Sequence, residues 1–237
     1  MAKRIISQAR GKGSMTYRVR RKAYRHKIAY PPRFNGEGEV VKLVNSAGHT
    51  TPLAKIKYGK KGEIFFIPAS YGISEGQKIN LGDDKFEVKN GNISRLKFMP
   101  VKTQVFNVEA RPSDGGKFVR TGGTSAIVSK VVSGKVYLIM PSKKEKAFSG
   151  ECRATVGSCA GHGRVDKPFV KAGRKHYIKK AKNKLWPRTS AVKMNAIDHP
   201  FGSGRGKNPK SKIAKRNAPP GRRVGLLRPS RTGRKKR

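Results

Sequence analysis

The sequence predicts a mainly β protein of two small barrels with basic, irregular extensions at both ends. Three observations predict it. Short apolar runs separated by glycine- and serine-containing turns fill the middle of the chain, those runs fall into two sets divided near Pro100, and both ends carry lysine and arginine without one acidic residue. Strands of this length and spacing suit a small barrel or sandwich.

The first set is GEVVKLVN (38–45), TPLAKIKY (51–58), EIFFIPA (63–69) and QKINL (77–81), with Ser46, Gly48, Gly59, Gly62, Gly72 and Gly76 between the runs. The second is TQVFNVEA (103–110), SAIVSKVV (125–132), KVYLIMPS (135–142) and CRATVG (152–157). Ser133-Gly134 separates two β-branched runs by two residues, a spacing that closes a tight hairpin. Only 167–184, KPFVKAGRKHYIKKAKNK, looks helical, and Gly173 interrupts it. The expected organisation is a basic extension over 1–33, a barrel over 34–99 and a second over 100–166, then a short helix, a loop and a basic tail over 167–237. Barrels of this size fold but are marginal alone. No internal repeat is present.

The charge constrains partners. The 237 residues include 56 Lys and Arg against 13 Asp and Glu, a formal net charge of +43. Such a chain repels itself and adsorbs to polyanions. Nucleic acid relieves the repulsion and adds counterion release, with an affinity that falls steeply as salt rises. Residues 1–33 hold 11 of the basic residues and 201–237 hold 14; the middle holds the other 31 and every acidic residue. No run approaches the roughly 18 apolar residues that span a bilayer, and the basic runs lack the apolar stripe of an interfacial helix. No membrane partner and no small-molecule substrate is expected. MAKRIISQARGKGS lacks the apolar core of a secretory signal, and two cysteines, Cys152 and Cys159, suit a reducing compartment. The sequon Asn92-Ile93-Ser94 is therefore expected to be idle, and the cytosol or nucleus remains.

The ends are too charged and too poor in apolar residues to fold alone, so they read as extensions that order on a polyanion, with disordered solubilising tails as the alternative. In the first, Tyr17, Tyr24, His26 and Tyr30 are interleaved with Arg18, Arg20, Arg21 and Arg25, the mixture of flat rings and guanidinium groups on which unpaired bases stack. Arg4, Arg10 and Lys12 precede them. The tail combines Gly, Pro and cations, including Arg205, Lys207, Lys210, Lys212, Arg216, Arg222 and Arg223. Gly permits close approach to phosphate and Pro keeps the thread extended, which fits crevices of folded RNA better than a DNA groove. Arg120, Arg153, Arg164, Lys171, Arg174 and Lys175 are the candidate RNA contacts between the ends.

Signals for catalysis are weak. No Gly-Lys is followed by Ser or Thr, so no phosphate-binding P-loop exists, and Gly202-Ser203-Gly204-Arg205-Gly206 lies in the tail and not between a strand and a helix. Cys152 and Cys159 with His162 and His176 could hold zinc in principle, but tight zinc sites pair ligands at closer spacing; the other reading makes both cysteines small buried residues around a strand. The most distinctive segment is WPRTSAVKMNAIDHPFG (186–202). Asp198 beside His199 suggests an oriented base, yet orientation is a property of folded geometry, and no nucleophile is marked. The structural reading is a Pro- and Gly-bounded loop whose Arg188, Lys193, Asn195, Asp198 and His199 contact RNA.

At these residues the chain resembles the large-subunit ribosomal protein L-two family, archaeal and eukaryotic type. Met194-Asn195, Asp198-His199-Pro200 and Gly202 match its signature Met-Asn-Pro-x-Asp/Glu-His-Pro-x-Gly-Gly-Gly. Pro100-Val101 and Asn107-Val108-Glu109 resemble the lead into its second barrel, Cys152–Gly157 its last strand, and Lys171-Ala172-Gly173-Arg174 the segment beyond. The opening Arg10-Gly11-Lys12-Gly13-Ser14 with Tyr17-Arg18 is similar to the archaeal and eukaryotic branch. Ala196, Phe201, Ser203 and Thr189-Ser190 depart from the usual Pro, His, Gly and Arg-Gly.

The resemblance implies an oligonucleotide-binding (OB-like) barrel, then an SH3-like barrel, then an extension toward the peptidyl-transferase region. It implies a non-enzymatic protein of the cytoplasmic ribosome, partnered by large-subunit rRNA and other ribosomal proteins, near tRNA and the small subunit. It also implies roles in assembly and subunit association, and a positioning role for His199. No cofactor is expected, with Mg²⁺ only as ions bridging chain and rRNA. A free RNA chaperone and an enzyme acting on RNA through Asp198-His199 are the competing classes.

Overall fold

The structure is a computed structural model and describes residues 3–32, 36–82, 87–204 and 213–233. The described residues form twelve strands and two α-helices, so the protein is mainly β, as the sequence predicts. The chain divides into two units, one of 1–19 with 175–237 and the other of 20–174.

The 20–174 unit carries the sheet. Its strands are β1 (Gly36–Val44), β2 (Leu53–Tyr58), β3 (Glu63–Pro68), β4 (Lys78–Leu81), β5 (Ile93–Arg95), β6 (Gln104–Phe106), β7 (Ala126–Val132), β8 (Lys135–Ile139), β9 (Glu145–Ser149) and β10 (Arg153–Val156). Hydrogen-bonded order is β3-β2-β1-β4-β5-β10-β6-β7-β8-β9. The named pairs are antiparallel except β4 with β5. Eight of the ten strands fall on the predicted apolar runs. β5 and β9 do not: β5 has only three residues, and β9 reads Glu-Lys-Ala-Phe-Ser with only Phe148 buried. Both form because neighbouring strands present backbone groups that must be paired.

Alternation explains the burial. In β8, Val136 and Leu138 are fully buried while Lys135 and Ile139 face out. Ser133 and Gly134 both take positive φ, 47° and 73°, the geometry of a two-residue hairpin turn, and join Val132 to Lys135 in register. Register shifts in β1 between Val40 and Lys42, and in β7 between Val128 and Lys130, are bulges that bend each strand over its core.

Two hydrophobic clusters result. Tyr30, Val40, Ala54, Ile56, Phe65, Ile67, Ile79, Leu81 and Ile93 form one. Leu96, Met99, Val105, Val108, Val128, Val136, Leu138, Phe148, Ala154 and Val156 form the other, which thus draws Leu96 and Met99 from ahead of Pro100. β10 pairs with both β5 and β6 and carries the sheet from one cluster to the other.

A polar network lies behind β10. Glu109, fully buried, accepts from the Arg153 guanidinium at 2.6 and 3.0 Å, from the Arg153 backbone N–H at 2.9 Å, and from the N–H groups of Gly115 and Ser113. Arg153 also donates to the Pro31 carbonyl at 2.6 Å and stands 5.4 Å from the centre of the Tyr30 ring. The Tyr30 hydroxyl donates to the Asn107 carbonyl at 2.9 Å and lies 2.6 Å from the Thr155 hydroxyl. Burial pushes its pKa well above the ordinary phenol range, so it stays protonated.

In the other unit, α1 (Ile6–Gly11) lies in the basic N-terminal segment, and β11 (Ile213–Ala214) pairs in parallel with β12 (Leu226–Leu227) in the tail. α2 (Ala172–Ala181) falls inside the predicted helical stretch, with Gly173 at its second position, where little helix is lost. Beyond its end Asn183 takes a left-handed φ of 45°. Its amide donates to the carbonyls of Thr16 at 3.0 Å and Arg18 at 2.8 Å, while its own carbonyl accepts from Arg10. These bonds hold the N-terminal segment.

Candidate nucleic-acid interface

The signature loop is closed on itself by backbone hydrogen bonds. Asp198 N–H and His199 N–H donate to the Asn195 carbonyl at 3.0 and 3.2 Å, Gly202 N–H to the His199 carbonyl at 2.9 Å, and Ser203 N–H to the Met194 carbonyl at 3.1 Å. Gly202 is required by this closure. A Cβ there would lie 2.4 Å from the Asn195 carbonyl oxygen and 2.5 Å from that of Met194.

The closure buries His199 and leaves Lys193, Asn195 and Asp198 exposed. The His199 ring sits 5.0 Å from Phe201, and its Nδ1 accepts the Phe201 backbone N–H at 3.1 Å. Nδ1 is therefore an acceptor, and the proton of the neutral ring belongs on Nε2. Burial lowers the His199 pKa below its ordinary 6.5. The unfolded chain binds this proton more readily than the fold does, so stability is full above pH 6.5 and declines as pH falls through the folded value. An NMR titration of the His199 ring should show a midpoint below 6.5, against 6.5 for the same residue in denaturant. A midpoint at or above 6.5 would contradict a neutral, enclosed imidazole.

Two cavities flank the loop. One, of about 460 Å³, is lined by His199, Arg188, Ser190, Met194 and Leu185 with Ile5 and Ile6. The other, of about 480 Å³, is lined by Lys3, Arg4, Ile6, Ala9, Tyr17, Thr189, Lys193, Met194, Asn195 and Asp198. Arg10 stands 5.1 Å over the Tyr17 ring, and Lys3 pairs with Asp198 at 3.2 Å. Arg4, Tyr17, Lys193, Asn195 and Asp198, far apart in sequence, thus meet around one cavity. Met194 of the signature also lines it, as does Lys3, which no local pattern singled out.

The remaining candidates are spread out. Lys12 and Arg18 are exposed, with Arg18 Nε donating to the Gly13 carbonyl. Arg20, Arg21 and Arg25 are exposed around the 3-10 turn Arg21–Tyr24, and the His26 ring lies 4.4 Å from Phe66. Arg164 and Lys171 are exposed in the segment leading into α2, Arg174 is exposed in its first turn, and Lys175 stands 5.5 Å over Trp186. Arg216, Arg222 and Arg223 are exposed, with Arg223 Nε donating to the Ala218 carbonyl. Arg205, Lys207, Lys210 and Lys212 lie outside the described residues.

Three expectations change. Tyr30, read as a ring for stacking on bases, is buried in a core because its hydroxyl finds partners on Asn107 and Thr155. Arg153, with 12% of its side chain exposed, is committed to Glu109 and Pro31. Arg120 is half-buried and donates to the Gly116 carbonyl at 2.7 Å. Glu109 itself was missed; its signal is a lone carboxylate inside the apolar run 105–109, where an ionised group must be paired.

Cys152 and Cys159 are both buried and unbridged. Burial pushes their thiols up to about 11 and about 12, so neither is a thiolate at neutral pH. Among the described residues no three of His, Cys, Asp and Glu group closely enough to hold a metal ion.

Residues 89–221, signature loop included, match the family model described as Ribosomal Proteins L2, C-terminal domain. Along the whole chain, large ribosomal subunit protein uL2 of Archaeoglobus fulgidus is 44% identical, covering 98% of this chain and 99% of its own. The uL2 proteins of Hyperthermus butylicus and Methanococcoides burtonii are 45% and 43% identical, covering 100% and 99% of this chain and all of theirs. The chain belongs to the ribosomal protein L2 family. These L2 relatives are archaeal, in keeping with the branch that the opening residues resemble. L2 proteins are structural components of the large ribosomal subunit and not enzymes, which removes the reading of Asp198-His199 as a catalytic pair.

Proposed function

We propose that this chain is a primary rRNA-binding protein of the large ribosomal subunit, supporting its assembly, its association with the small subunit and the architecture around the peptidyl-transferase region. The observation that carries this reading is the unit containing the signature loop. Its sequence holds 26 Lys and Arg against a single acidic side chain, Asp198, and its loop is closed by its own backbone so that Lys193 and Asn195 face outward. Charge of this density is neutralised by phosphate, and a loop closed in advance loses little entropy on docking.

Its partners in this role are rRNA and neighbouring ribosomal proteins, with tRNA and the small subunit close by. Most of the exposed cations meet phosphate and set position, while a few polar groups meet bases. Mg²⁺ takes part as ions bridging tail and rRNA. His199 serves by holding the loop: its Nδ1 is occupied within the protein, and burial keeps the ring neutral. No helix among the described residues is long and apolar enough to cross a membrane.

Chemical footprinting of the purified chain on total cellular RNA, across a salt series with excess tRNA, tests the proposal. Discrete protections in large-subunit rRNA that survive salt and competitor are expected. Diffuse protection that disappears with salt would instead favour a free RNA chaperone.

A further inference from the structure

In the unit that contains it, Asp198 is a physical anomaly. A surface made for phosphate gains from every cation and loses from every carboxylate. Yet the one acidic side chain among 26 basic residues lines the cavity of about 480 Å³, beside Lys3, Arg4 and Lys193. Pairing with Lys3 does not account for it. The two side chains are 64% and 50% exposed, and an ion pair so exposed contributes little and is readily exchanged.

The other linings indicate what the carboxylate faces. Tyr17 offers a ring carrying Arg10 at 5.1 Å, and Ile6, Ala9 and Met194 supply apolar surface. A ring, apolar walls and neighbouring cations make a place for a flat base whose phosphates stay outside.

A carboxylate narrows the base to one. An ionised Asp only accepts hydrogen bonds, at two adjacent oxygens. Guanine alone presents two adjacent donors, N1–H and the N2 amino group, on its pairing edge. Adenine and cytosine each set one amino donor beside a ring nitrogen acceptor, and uracil flanks its single N–H with two carbonyls. Each of those puts a lone pair against the carboxylate.

We propose that this cavity takes one unpaired guanine of the RNA, read by Asp198 on N1–H and N2–H and stacked against Tyr17, with Arg4 and Lys193 on its phosphates. The proposal rests on the rRNA-binding reading and adds the identity of a base. Lys3 gives up Asp198 to the base and turns to phosphate. A bidentate contact of this kind discriminates between bases by on the order of tenfold or more.

Kethoxal attacks N1 and N2 of unpaired guanine, the edge in question. Wild-type chain bound to large-subunit rRNA should leave one unpaired guanine protected that Asp198→Asn leaves reactive, by about tenfold. The other protections should be unchanged, because the amide keeps the shape of the carboxylate. Dimethyl sulfate, which reports the pairing edges of adenine and cytosine, should show no such difference. Identical kethoxal patterns for the two chains, or a difference confined to adenine or cytosine, would overturn the guanine site while leaving the rRNA-binding reading intact. Absence of discrete protection by the wild-type chain would overturn both.

Discussion

Glu109→Ala is expected to destabilise the protein by about 3–5 kcal/mol, the range found when one partner of a buried ion pair is removed. The carboxylate is fully buried and collects five donors: two from the Arg153 guanidinium, then the backbone N–H groups of Arg153, Gly115 and Ser113. Removing it strands a guanidinium whose side chain is only 12% exposed, together with backbone donors that no longer have a partner. Urea unfolding should show the loss as a lower midpoint at nearly constant slope. Because the stranded charge is the main penalty, the double variant Glu109→Ala with Arg153→Ala should be less damaged than the sum of the two single changes. Additive single effects, or a loss below about 1 kcal/mol for Glu109→Ala, would show that the pair does not hold β10 against the 105–109 run. The same experiment bears on function, since an arginine held in this way supports the fold and is withheld from RNA.

Gly202→Ala should open the signature loop while sparing the 20–174 unit. Its Cβ would lie within 2.6 Å of three backbone atoms of Met194 and Asn195, and backbone cannot swing aside as a long side chain can. Relief requires breaking bonds of the closure, among them Ser203 N–H to Met194, Gly202 N–H to His199 and His199 N–H to Asn195. At roughly 1 kcal/mol each, the closed form should lose on the order of 3 kcal/mol. Two readouts follow. Protections that depend on the loop should vanish from the rRNA footprint while those of the 20–174 unit persist, and the His199 midpoint should return toward 6.5 as its ring is exposed. Gly204→Ala is the control, because a Cβ there meets nothing within 4 Å. Matching footprints and titrations for the two variants would mean that the tight contact at Gly202 does not govern the loop.

Both effects concern residues whose importance is only partly visible along the chain. Gly202 stands in the signature, so its position is legible, but the reason for glycine is the approach of Met194 and Asn195. Arg153 looks like any other cation in a basic protein, and its partner lies 44 residues away. Lys3 and Asp198 are 195 residues apart. No local pattern carries information about such pairs.

By itself the sequence determined the class of the fold, eight of its ten main strands, the Ser133-Gly134 turn, α2 and the family, because each rests on short-range physics or on contiguous motif residues. Alternation of period two, positive φ at a turn and helix formation all act within a few residues. The tertiary structure decided the rest. It added β5 and β9, which exist because adjacent strands need partners and not because their residues alternate. It moved Tyr30, Arg120 and Arg153 toward the interior, and it gathered Arg4, Tyr17, Lys193, Asn195 and Asp198 around one cavity. Desolvation and hydrogen-bond pairing depend on which groups meet after the chain has folded back on itself, and sequence proximity does not encode that meeting.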